Sequence, residues 1–121
     1  MTLVAVDEPT LAQLLHAAVT EAAVDEVTPP LTPGDVWSDA RIAWLKDFHR
    51  NRVGGLTGAS GEATWAVLVA DQIVGSVRLK HTAEPGILET GIWLARGSRG
   101  QGVGPVAMSA VLRLAAELGA R

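Results

Sequence analysis

A chain of 121 residues, 48 % of them hydrophobic, has the size and apolar content of one globular domain with a buried core. Its formal charge of −3, from 10 basic and 13 acidic side chains, lacks the basic footprint of a nucleic-acid binder. With no cysteine, disulfides, thiolate metal sites and cysteine nucleophiles are excluded, and no apolar run approaches the roughly 20 residues of a membrane helix.

Thr2 to Val6 alternates well enough for a short first strand. Thr10-Leu11-Ala12-Gln13 has the form of a capping box, and Leu11, Leu14, Leu15, Ala18, Val19 and Ala22 recur behind it at helical spacing. Pro29, Pro30 and Pro33 end that helix, since each lacks an amide proton. A second helix is expected from Ser38 or Asp39, either of which can cap it. Its apolar contributors are Ile42, Trp44, Leu45 and Phe48, and Gly54-Gly55 offers a left-handed exit. Gly54 to Gly61 reads as a loop.

Ala63 to Ala70 and Ile73 to Lys80 read as a hairpin turned at Asp71-Gln72. Glu84-Pro85-Gly86 turns the chain again, and Ile87 to Leu94 forms a further strand. From Gly102 onward Val103, Val106, Ala107, Ala110, Val111, Leu114 and Leu118 fall on one helical stripe, closed by Gly119. The order is β-α-α-β-β-β-α, a single mixed α/β (α+β) domain over residues 1–121 without repeats or a linker. The N-terminus has no signal-peptide pattern, so a cytoplasmic location is expected, with no membrane or nucleic-acid partner.

The segment most informative about function runs from Ile92 to Pro105. A strand ends, a glycine-rich turn follows, and an apolar helix begins at once. Glycines let successive amides point into one concavity, and the helix adds its unpaired first-turn N–H groups and the positive end of its dipole. Arg96 and Arg99 supply positive charge. Together these predict a phosphate or pyrophosphate site. A Walker loop is excluded because this segment holds no lysine, and a dinucleotide fingerprint is excluded by the spacing and by the late position in a short chain.

Arg99-Gly100-Gln101-Gly102-Val103-Gly104 matches every fixed position of the coenzyme A motif Gln/Arg-x-x-Gly-x-Gly/Ala, and in this the chain resembles the GNAT family of N-acetyltransferases. Leu88 to Leu94 looks like the fourth strand of that family's ribosomal-protein acetyltransferase branch, and the element order agrees. The resemblance implies a GNAT-like, mostly antiparallel sheet flanked by helices. It implies acetyl-CoA as co-substrate, no metal, and an amine-bearing acceptor, either a small molecule or a protein. The backbone of Ile92, Trp93 and Leu94 would pair with the pantetheine arm. Amides from Arg99, Gly100, Gln101, Gly102, Val103 and Gly104 would hold the pyrophosphate. Pro105 departs from the commoner basic or polar residue and removes one donor, at little cost if it occupies the first helical position.

Acetyl transfer needs a neutral amine, so a carboxylate or histidine must take the ammonium proton, often through water. Glu89 is the candidate base: it lies five residues before Leu94, where the resembled branch frequently carries a glutamate. A solvent-facing strand carboxylate is the alternative reading. His81 and Glu84 read as exposed turn residues, His16 and His49 as surface or boundary histidines. Trp37, Trp44 and Phe48 read as packing, with an acceptor pocket as the alternative. The family's usual general acid is a tyrosine, and this chain has none. The resemblance also stops before the fold's usual C-terminal strands and helix. Self-association, a complementary C-terminal segment or a longer polypeptide is therefore expected. The activity implied is N-acetyl transfer; the alternative is a truncated coenzyme-binding module or an interaction remnant of that fold.

Overall fold

The apolar alternations condense into one antiparallel sheet in which the strands lie in sequence order. These are β1 (Thr2–Ala5), β2 (Glu62–Val69), β3 (Gln72–His81) and β4 (Leu88–Leu94). Helices α1 (Glu8–Glu21), α2 (Val24–Val27) and α3 (Asp39–Arg50) fall between β1 and β2, and α4 (Val103–Glu117) follows β4. This is a computed structural model, and it describes residues 1–29, 36–52, 55–58, 61–98 and 102–117. The mixed α/β class and element order are those read from the sequence; the single turn α2 is an addition. Among the described residues no helix is long and apolar enough to cross a membrane.

Strand alternation divides the side chains between two faces. Val67, Val77 and Leu79 meet Val103, Ala107, Val111 and Ala115 of α4 in one core cluster. Glu62 and Thr64 of β2, Ser76 and Arg78 of β3, and Glu89 and Trp93 of β4 share the opposite face by register. There His49 of α3 reaches Thr64, and α1 packs against α3 and β3.

Several local expectations shift. Helix α1 starts at Glu8, capped by Asp7, whose Oδ1 accepts from the Thr10 N–H at 2.9 Å. Thr10 is thus the donor to the cap, not the cap itself. Pro9 sits in the first turn, where its missing donor costs nothing. Hydrogen bonding from Thr10, its side chain foremost and then its N–H, holds the Asp7 carboxyl below the usual carboxylate range. Ala17 joins the buried stripe, while Val19 is exposed. In α3, Ser38 caps as expected, accepting from the Arg41 N–H at 3.2 Å. The helix ends at Arg50, before the glycine pair; Gly55 has φ +68, and Gly54 lies outside the described residues.

The hairpin turns one residue earlier than expected. Val69 pairs with Gln72, leaving Ala70 and Asp71 as a two-residue loop with φ of 49° and 65°. Two left-handed residues are what a tight hairpin needs to match the twist of its strands. In α4 the buried stripe runs through Val103, Ala107, Val111 and Ala115, and Val106 is exposed. Leu118 and Gly119 lie outside the described residues.

Candidate functional site

The strand-loop-helix around residue 100 begins from a firm anchor. Ala95, just past β4, is buried, and its N–H donates to the Val74 carbonyl at 2.7 Å. One 3-10 turn, Arg96–Ser98, follows, and α4 opens at Val103. Arg99, Gly100 and Gln101 of the expected phosphate loop lie outside the described residues. Gly102 has φ +79, and no atom of the described residues, its chain neighbours aside, stands within 4 Å of where its Cβ would be. Among the described residues this leaves an opening beside Gly102 at the start of α4, whose first-turn amides have no partner within the helix. Val103 turns its side chain into the core, so only its backbone faces this opening. Pro105 is the third residue of α4 rather than the first, yet its absent donor still falls among amides that have no partner within the helix.

Behind the opening runs an apolar groove of about 690 Å³. One wall is Ile92, Trp93 and Leu94 of β4; the other is Gly104, Pro105 and Met108 of α4, with Glu26 of α2 joining them. The residues that the resemblance assigns to the pantetheine arm therefore share one groove with the start of α4. An apolar trough beside an edge strand, ending at helix amides, fits a long thin chain that carries phosphates.

A second, more polar cleft of about 430 Å³ adjoins it. Its floor is an ion network missed in the sequence. Glu62, with its side chain 4 % exposed, accepts from Arg52 Nε at 2.7 Å and from Arg78 Nη1 at 3.1 Å. A buried carboxylate is tolerated because both oxygens are met by guanidinium groups. Arg78 then extends Nη2 to Glu89 Oε1 at 3.2 Å. Glu89 is exposed, shares the strand face of Gly91 and Trp93, and stands beside the cleft rather than in its lining.

His49 corrects the reading of it as a surface or boundary histidine, for it is 2 % exposed. Its Nδ1 lies 3.0 Å from the Thr64 hydroxyl, and Nε2 is buried with no hydrogen-bond partner among the described residues. Burial foremost, then the charge of Arg52, pushes the imidazole down to about 4 against an opposing pull from Glu62. His49 is thus a neutral ring at neutral pH. Trp44 and Phe48 both pack and line the cleft: their rings stack at 5.1 Å, and the Arg52 guanidinium covers Phe48 at 3.7 Å. Trp37 lines neither cavity and donates through Nε1 to the Ala22 carbonyl at 3.1 Å. His16 and Glu84 are exposed, and His81 Nε2 lies 3.1 Å from the Leu56 carbonyl.

The family model for the acetyltransferase (GNAT) domain matches residues 1–121. No curated protein matches the sequence. With the whole length accounted for by that domain, and the sheet and helices following the order read from the sequence, this chain belongs to the GNAT acetyltransferase family.

Proposed function

We propose that the chain transfers an acetyl group from acetyl-CoA to the primary amine of a small molecule or protein. One observation carries this reading: Ile92 and Trp93 line both the apolar groove and the polar cleft, so the two cavities meet along β4. A donor in the groove and an acceptor in the cleft then have a common boundary, as transfer between two bound molecules requires.

Acetyl-CoA supplies an activated acyl group on a thioester. Ile92, Trp93 and Leu94 would hold its pantetheine arm, and Gly102, Val103 and Gly104, with the contiguous Arg99, Gly100 and Gln101, its pyrophosphate. Glu89 would take the ammonium proton, directly or through one water, and Arg78 orients its carboxylate at 3.2 Å. That same ion pair favours a second reading, a module that holds the coenzyme without catalysis, because the pair ties the candidate base to a structural network. Release of free thiol from acetyl-CoA, followed over a panel of primary amines, separates the two. Amine-dependent release supports the enzyme. Tight coenzyme binding with no release for any amine supports the module.

A further inference from the structure

Helix α2 is one turn long, yet it is firmly anchored. Val24 is 1 % exposed, and the Thr28 hydroxyl donates to the Val24 carbonyl at 3.2 Å. Arg41, fully buried, reaches from α3 to place Nη1 2.8 Å from Asp25 Oδ1. A guanidinium is kept in a core only where charge and hydrogen bonds offset its lost hydration, so this pairing specifies where α2 must sit. The next residue is Glu26.

Glu26 is exposed and lines both the polar cleft and the apolar groove. The other residues common to both linings are Ile92 and Trp93 of β4. An amine in the cleft and a molecule in the groove therefore share a boundary to which α2 contributes Glu26 and β4 contributes Ile92 and Trp93. A carboxylate and the face of an aromatic ring each attract an alkylammonium.

We propose that Glu26 receives the acceptor's ammonium at the junction of the two cavities, making it a specificity-determining residue for acceptors that enter as cations. The inference rests on the reading of groove and cleft as donor and acceptor sites. It gives the two carboxylates different duties: Glu26 holds the ammonium, and Glu89 takes its proton. Loss of Glu26 then raises KM for the amine with little change in kcat, whereas loss of Glu89 lowers kcat.

The test needs no knowledge of the natural acceptor. Hexylamine and hexanol share a chain and differ in charge, and their affinities are measured by NMR titration of the isotope-labelled protein, with and without coenzyme A. The wild type is expected to prefer hexylamine by about fivefold, the scale of one partly exposed ion pair. Glu26→Gln should abolish the preference, Glu26→Asp should restore part of it, and Glu89→Gln should leave it intact. An unchanged preference in Glu26→Gln, or its loss only in Glu89→Gln, overturns the proposal, as does a wild type with no preference. Failure of the donor-site reading shows separately, as a wild type that does not bind coenzyme A, because the amine titration is also run without it.

Discussion

Arg78 and Gly91 face each other across β3 and β4, and the guanidinium of Arg78 occupies the space a side chain at Gly91 would need. A Cβ there would stand 2.7 Å from Arg78 Nε. Gly91→Ala should therefore swing Arg78 off the strand and strip one of two cationic partners from the buried Glu62. The expected loss is about 1–3 kcal/mol, the scale of a buried acceptor left short of a partner. Urea unfolding of Gly91→Ala, Arg78→Ala and the double variant checks it. The two effects should be strongly non-additive, because both remove the same contact.

His49 gives the stability a pH dependence of known sign. The imidazole has an ordinary value of 6.5 and is pushed down to about 4 in the fold, so between those limits the unfolded chain binds a proton that the folded chain does not. Its contribution is complete above about pH 6.5 and is lost as pH falls toward 4, by about 3 kcal/mol in all. Unfolding curves at pH 7, 5 and 4 for the wild type and His49→Gln should differ by that slope.

Ala70 sits at φ 49 in the hairpin loop, a conformation that costs a residue with a Cβ about 1–2 kcal/mol. Ala70→Gly removes the strain and adds some unfolded-chain entropy. The net gain should be about 0.5–1 kcal/mol, visible as a raised Tm.

Glu89→Gln should lower turnover mainly near neutral pH. Recovery is expected as pH rises toward the acceptor amine's own value, near 10 for an alkylamine, because the amine then deprotonates unaided. A pH–rate profile parallel to that of the wild type would make Glu89 only the outer partner of Arg78.

What was legible in the sequence is what is contiguous in it. Ser38 before Asp39 announces a cap, and the run from Ile92 to Pro105 announces a strand end and a helix start, which the structure has at Leu94 and Val103. The Glu62 network was not legible, because Arg52 and Arg78 lie 10 and 16 residues from Glu62 and meet it only once the sheet and α3 have formed. The buried stripe of α3 is Arg41, Leu45 and His49, two polar residues in three, which apolar periodicity passes over. Helix α2 escaped for a different reason: four residues are too short to show a period. The hairpin was displaced by one residue because Ala70 supplies no turn signal, and its left-handed conformation is imposed by strand pairing.

The opening at Gly102 is expected to receive the pyrophosphate of coenzyme A. Calorimetric titration of coenzyme A into the wild type, Gly102→Asn and Gly102→Asp tests it most directly. Both side chains enter the same open space and tolerate a left-handed backbone, and they differ by one negative charge. Binding is expected in the wild type, weaker binding in Gly102→Asn, and a further loss of about tenfold or more in Gly102→Asp, where a carboxylate opposes the phosphates. Equal affinity in all three proteins would contradict it.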